Sequence, residues 1–211
     1  MIEEIFSKEK AKVYLCDFKH IRNLLTDFHY KKSAIGGSIL TAFAMYYCDV
    51  LSGGAVIGPP RHKNKYESSI DIRRMVCTDD SPKNSESWLL SQIIRWIASN
   101  TDAKHVLSYS DMTANHKGTI YQAANFKFKG TTNKTKYVIW NGKTYHMRSI
   151  NIDRPYSYKL RDALKNNEAQ IITGQEKKIW IYDIPKTMKK KKKSINRIED
   201  LMCNSLFKEV K

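Results

Sequence analysis

The chain has 211 residues, 41% hydrophobic and 11% aromatic, which suits one packed domain and excludes a disordered polypeptide. It carries 37 Lys and Arg against 21 Asp and Glu, a formal net charge of +16, so its expected partners are polyanions: nucleic acid first, an acidic membrane surface second. No stretch approaches the ~18–20 apolar residues of a membrane span, the opening MIEEIFSKEK lacks the basic-then-apolar order of a secretory signal, and Cys16, Cys48, Cys77 and Cys203 form no CxxC pair; a reducing, cytoplasmic setting without membrane attachment is expected.

In chain order, residues 13–18 read as a short strand and 21–28 as a turn or two of helix. Residues 40–50 and 55–58 read as a hairpin joined through 49–54, which contains Ser52-Gly53-Gly54. Residues 69–78, rich in Ile, Met and Val, read as a strand. Residues 85–100 give the clearest helix: Leu89, Ile93, Trp96 and Ile97 recur at helical spacing, and Asn84 or Ser85, after Pro82, stands where an N-cap belongs. A buried-type strand over 105–110, a short helix over 118–124 and strands over 127–130 and 136–140 follow. Asn141-Gly142 predicts a tight turn into a strand over 144–147. A helix over 156–167 and a strand over 178–184 complete the body.

Five lysines in a row, Lys189, Lys190, Lys191, Lys192 and Lys193, follow Pro185 and precede an amphipathic piece over 195–207. Charge that dense stays solvated. The segment serves either as a phosphate-binding arm or as a solubilising linker. The expected organisation is a catalytic domain over 1–185 and a lysine-rich tail over 186–211 with room for a short helix. Lysines also stud the body, among them Lys63, Lys65, Lys117, Lys127, Lys129, Lys134 and Lys136; Lys117, Lys127 and Lys129, with Lys189, Lys190 and Lys191, are the candidate DNA-phosphate contacts.

Strands alternating with helices imply βαβ connections and a mixed sheet. An opening hairpin followed by strand–helix–strand–helix–strand is the order of a GNAT-type acyltransferase, one option among several by pattern alone. The expected class is α/β (α+β), with a mixed, mostly antiparallel central sheet flanked by helices.

Several residues have chemistry to offer beside an ordinary structural role. The start of the 85–100 helix presents free N–H groups and partial positive charge, and Lys83, Asn84, Ser85 and Ser87 there could hold a phosphate-bearing donor or simply cap the helix. Asp111 ends a strand and either accepts a proton or caps the next turn; Tyr121 is either an acid or a core aromatic. Arg73 and Arg74 point to opposite faces of one strand. His29 and Tyr30 are metal-ligand types without a second histidine at ligand spacing; His116 and His146 are further donors.

Four segments carry a resemblance: Phe28-His29-Tyr30-Lys31-Lys32-Ser33; Ile72-Arg73-Arg74-Met75-Val76 with Pro82-Lys83-Asn84-Ser85-Glu86-Ser87; Leu107-Ser108-Tyr109-Ser110-Asp111 with His116-Lys117-Gly118-Thr119-Ile120-Tyr121-Gln122-Ala123; and the hairpin of residues 141–146. Together they resemble the phage Mom family, over roughly residues 28–185. The resemblance implies a GNAT-like fold and transfer of a carbamoylmethyl-type group to adenine N6 in DNA, which hides phage DNA from host restriction. It implies a catalytic set of Asp111, Tyr121, Arg73 and Ser108, with Tyr121 as the acid, and a bound metal, iron in the family, at His29 and Tyr30. The glycine-rich coenzyme A loop of GNAT enzymes is absent, since residues 78–87 contain no glycine; the donor stays open between acetyl-coenzyme A and another acyl donor. Adenine N6 is stacked and paired in duplex DNA, so the base must be flipped or unpaired. Two other readings compete: a GNAT acetyltransferase for a small-molecule or protein amine, and a non-catalytic basic nucleic-acid-binding protein.

Overall fold

The structure, a computed structural model, describes residues 6–29, 38–60, 66, 68–112, 117–190 and 197. Ten strands and four α-helices are described: β1 (Ala11–Cys16), α1 (Phe18–Asp27), β2 (Thr41–Tyr47), β3 (Val50–Gly58), β4 (Ser69–Cys77), α2 (Ser85–Asn100), β5 (His105–Asp111), α3 (Thr119–Ala123), β6 (Lys127–Thr131), β7 (Lys136–Trp140), β8 (Lys143–His146), α4 (Pro155–Lys165), β9 (Gln170–Thr173) and β10 (Lys177–Asp183). Seven strands form one sheet in the order β1-β2-β3-β4-β5-β10-β6, and three form a second in the order β8-β7-β9. The class expected from sequence is the one found.

The β2–β3 region reads as an apolar run because helices cover it on both faces. Side chains alternate along a strand. Ala42, Ala44 and Val56 pack with Ile21, Leu24 and Leu25 of α1, while Phe43, Met45, Ala55 and Ile57 pack with Leu89, Leu90, Ile93 and Ile97 of α2. Fully burying one such side chain is worth about 1.5–3 kcal/mol, so this layer is the main apolar store of the chain.

The structure departs from two local expectations. The glycines Gly53 and Gly54 were expected in the β2–β3 turn, yet they lie inside β3. The turn is Cys48-Asp49, both left-handed at φ 50° and 62°, the two-residue geometry that suits the twist of paired strands. A Cβ on Gly53 would sit 3.0 Å from both Cys77 Sγ and Met45 Cε, and one on Gly54 would sit 3.1 Å from Leu24 Cδ2; close packing demands these glycines. The second concerns α2. Asn84 occupies its N-cap position, but at φ 76° and without a side-chain cap bond. Ser85 Oγ instead donates to Pro82 O at 2.7 Å, and Ser87 Oγ to Asn84 O at 2.9 Å.

β1–β4 are successively antiparallel. β4 and β5 are parallel, and their ladder covers only Ser69↔His105, Ile70↔Val106 and Asp71↔Leu107. Ser108 is the first β5 residue past that ladder.

The chain divides into two compact units. Unit 1 comprises Met1–Ser108, Thr119–Phe128 and Trp180–Lys211; unit 2 comprises Tyr109–Gly118 and Lys129–Ile179. Unit 2 holds the three-stranded sheet and α4, with Val138, Leu160, Ala163 and Ile179 buried. The strand β9 has no counterpart in the sequence reading. In the tail, Lys186–Lys190 form a 3-10 turn and Arg197 makes a parallel bridge to Leu15; the helix expected over 195–207 otherwise lies outside the described residues.

Candidate active site

In unit 1, α3 holds Tyr121 over the sheet. Its ring stacks on Trp180 at 6.0 Å and meets Phe126 edge-on at 5.5 Å, while Phe126 N donates to Tyr121 O at 2.9 Å. The Tyr121 hydroxyl is hydrogen-bonded to Ser108, a residue only 1% exposed. Burial raises the phenol above its usual value; the Ser108 bond opposes this, and the Glu86 carboxylate adds to the rise. Tyr121 is therefore a neutral O–H at physiological pH, a proton donor and not a phenolate. Burial, aided by Glu86, also pushes the Cys77 thiol up to about 12, which removes it as a thiolate nucleophile. Glu86, in the first turn of α2, was missed by sequence reasoning; only its place in the motif hinted at it.

The start of α2 opens on a cavity of about 540 Å³. Asn84 and Ser87 line it together with Trp88 and Tyr182, and Lys8 and Arg95 bring positive charge. Ser85 is buried and turned toward Pro82; Lys83 is exposed. Of the four expected donor-binding residues, two thus line the cavity.

In unit 2, Asp111 is 5% exposed and faces Lys177 Nζ at 3.6 Å. Lys177 lies sixty-six positions later in sequence and carries no motif, so nothing in the chain announced it. His146, at the end of β8, accepts from Arg148 N through Nδ1 at 3.0 Å, and its ring meets Tyr137 edge-on at 5.8 Å. Its pKa is lowered by burial first, then by the charges of Arg148 and Lys177. The accepting Nδ1 fixes the neutral tautomer with hydrogen on Nε2.

The remaining candidates are more scattered. Arg73 has a side chain 4% exposed, with Nη1 3.8 Å from Asp71 Oδ2; its Nη2 donates to Pro59 O, and its Nε would lie 2.8 Å from a Cβ on Gly58. That guanidinium is embedded in the strand layer. His29 lies just past α1, and Tyr30, His116 and Lys191 lie outside the described residues. Among the described residues, no group of three or more His, Cys, Asp or Glu could hold a metal ion, and of the two expected ligands only His29 is described. Lys117, Lys127 and Lys129 are exposed, with Lys127 Nζ bonded to Asp183 Oδ2 at 2.9 Å. Lys189 and Lys190 sit in the 3-10 turn. Among the described residues, no helix is long and apolar enough to cross a membrane.

Comparison with known proteins bears on this arrangement. The family model described as "Mom protein family" matches residues 10–199. A curated relative, the methylcarbamoylase mom of Escherichia phage Mu, is 34% identical over 85 residues. That match covers 39% of this chain and 34% of the relative, so it spans about a third of that protein's length. Among solved structures, an acetyltransferase of Bacillus subtilis in complex with CoA is 12% identical, with 83% of this chain and 100% of that one covered at a TM-score of 0.51. The ribosomal-protein-S18-alanine N-acetyltransferase of Escherichia coli is 8% identical, covering 82% and 94% at 0.51. These similarities establish a GNAT-type fold.

Proposed function

Because this chain belongs to the Mom protein family, we propose that it is a DNA-modifying transferase that moves an acyl-derived, carbamoylmethyl-type group onto N6 of adenine and so protects phage DNA from restriction. The observation that carries the reading is the buried Ser108–Tyr121 hydroxyl pair, held just past the end of the β4–β5 ladder.

The chemistry assigns roles as follows. The adenine amine is a weak nucleophile because its lone pair is delocalised into the ring. A base must take its proton as N6 bonds to the donor carbon, and an acid must protonate the departing group. Tyr121, kept neutral by burial, is the acid. Asp111 is the proton acceptor, with the Lys177 ammonium 3.6 Å away. Ser108 positions the Tyr121 hydroxyl. Both protons then exchange with solvent. The cavity beside Asn84 and Ser87 is the proposed donor site, with Lys8 and Arg95 as anion partners. Lys117, Lys129 and the lysine run over 189–193 are the proposed phosphate contacts for unpaired or flipped DNA, in a cytoplasmic setting.

Mass spectrometry of nucleosides from DNA of expressing cells tests this directly. A deoxyadenosine species of increased mass, absent with Tyr121→Phe and with Asp111→Ala, is the expected result. An unchanged nucleoside profile from well-expressed wild-type protein refutes it. A second reading, acetyl transfer to another amine, is favoured by the cavity at α2. Acetyl-coenzyme A binding by calorimetry, with no new nucleoside, would select it.

A further inference from the structure

Unit 2 has a second feature that the transfer chemistry does not use. A depression of about 490 Å³ lies at the turn end of the three-stranded sheet, lined by Trp140, Asn141, Asn167, Glu168 and Gln170, with Ile139. A volume of this order accommodates a small planar ligand. Trp140 is half-buried and braced by Tyr145, with ring centroids 6.4 Å apart. Tyr145 is in turn stacked on Tyr156 of α4 at 6.4 Å. Asn141, Asn167, Glu168 and Gln170 are exposed, so their polar groups are available from outside.

The local sequence explains why these side chains converge. Asn141-Gly142 makes the β7–β8 turn, with Asn141 at φ 47°. Asn167 follows α4 at φ 57°, where the chain reverses into β9. β9 then pairs Gln170 with Ile139 of β7. Two left-handed asparagines and a strand-end glutamine thus line one depression with Trp140.

We propose that this depression is a nucleobase pocket for unpaired DNA, which holds a base flanking the one that reacts. An indole face stacks on any base, and base–aromatic stacking is the main sequence-tolerant contact with single strands. Asn and Gln amides match the N6/N7 edge of adenine, and a glutamate accepts from an exocyclic amine. Charge fits the same occupant. Unit 2 carries twelve Lys and Arg against Asp111, Asp153, Asp162, Glu168 and Glu176, so its field attracts a polyphosphate chain despite Glu168. Lys143 is the ladder partner of Trp140, and Lys165 ends α4 two residues before Asn167; both are placed for the backbone.

The base is a neighbour of the reacting one because the pocket lies far from Asp111. β7 runs from Lys136, paired with Thr173, to the pocket end at Trp140. That is about 13 Å at ~3.3 Å per residue. Lys177, the Asp111 partner, lies beyond the Lys136 end, where its N bonds Thr132 Oγ1. The pocket therefore reads sequence context.

This inference rests on the DNA-modification reading, and the experiment separates the two. Affinity of the full chain for short fluorescein-labelled oligodeoxyadenylate and oligothymidylate is measured by anisotropy at fixed salt, alongside nucleoside mass spectrometry. Trp140→Ala should weaken oligodeoxyadenylate binding about tenfold or more, while Trp140→Phe, which keeps a stacking ring, should stay within about threefold. Asn167→Gly with Gln170→Ala should remove the preference for adenine over thymine by about fivefold or more; glycine tolerates the left-handed backbone at 167, so this variant stays folded even if Trp140→Ala does not. Equal affinities across wild type, Trp140→Phe and the amide variant for both oligonucleotides would overturn the pocket even if adenine is modified. Loss of binding in the variants without any modified nucleoside from wild type would retain the pocket and remove the reading beneath it.

Discussion

Unit 1 and unit 2 differ in the size of their buried cores, although each also exposes apolar side chains, Val50 and Leu40 in unit 1 and Tyr158 and Ile171 in unit 2. Unit 1 buries its core in two layers around β2 and β3, with Phe43, Met45 and Ile57 fully enclosed. Unit 2 buries Val138, Leu160 and Ala163 but leaves Trp140, Tyr145 and Tyr156 half-covered and Tyr158 and Ile171 about half exposed. The first arrangement gives a rigid frame that holds Tyr121 against Ser108. The second presents a basic surface with half-covered aromatic side chains. The difference teaches where each kind of substitution should register: stability in unit 1, binding in unit 2.

Phe43→Ala should produce the largest effect. The side chain is fully buried between β2 and α2 and meets Trp96 at 5.4 Å, so the loss should be about 3–5 kcal/mol of unfolding free energy. Val138→Ala in unit 2 removes two methyl groups from a smaller core and should cost less than half of that. Urea denaturation of both variants decides it, and equal losses would break the contrast. Tyr121→Phe comes next. It keeps the ring contacts with Trp180 and Phe126 and removes only the hydroxyl, so product formation should fall about 100-fold or more while the denaturation midpoint shifts little. A large stability loss would make the Ser108 bond structural.

How much of this was legible in the sequence depends on whether a feature is local. The 16-residue helix α2 was readable because Leu89, Ile93 and Ile97 repeat at its period. Gly53-Gly54 misled, because a glycine pair in sequence does not say whether it turns the chain or lets Met45 and Cys77 approach. β9 is four residues, Gln-Ile-Ile-Thr, too short to show alternation. Tyr121 and Ser108 came from motif resemblance, but their hydrogen bond depends on the sheet that brings α3 over β5. The Asp111–Lys177 pair is beyond any sequence reading, since only the path of β10 brings Lys177 there. Even the N-cap at Asn84 was right in position but not in mechanism, because Asn84, left-handed at φ 76°, makes no side-chain cap hydrogen bond.

The Asp111–Lys177 pair ranks third. Lys177→Met leaves a carboxylate 5% exposed with one charge partner fewer. The expected loss is about 1–3 kcal/mol. Asp111→Asn in the same background should recover part of it, because a neutral amide no longer needs the ammonium. Additive losses in this double-mutant cycle would show that the two do not interact and would weaken the case for Lys177 as the charge partner of Asp111.

The smallest effect separates the units by pH. In unit 2, His146 has a lowered pKa, through burial first and then the charges of Arg148 and Lys177. A depressed folded value means stability that is present above the ordinary value of 6.5 and lost as pH falls through the folded value. In unit 1, Asp183 is likewise lowered, chiefly by its bond from Lys127 with His105 assisting; its contribution is present above 3.8 and lost only under acid. Between pH 7 and pH 5, therefore, the contribution tied to His146 in unit 2 should be lost while that of Asp183 in unit 1 stays in place. His146 is exposed and solvent screens it, so the effect should be only a few tenths of a kcal/mol. Amide exchange resolves it by location: faster opening of β7 and β8 at pH 5, with β2 and β3 unchanged, and the difference removed by His146→Gln. Equal acceleration in both sheets, or no effect of His146→Gln, would mean that His146 does not set the response of its own sheet.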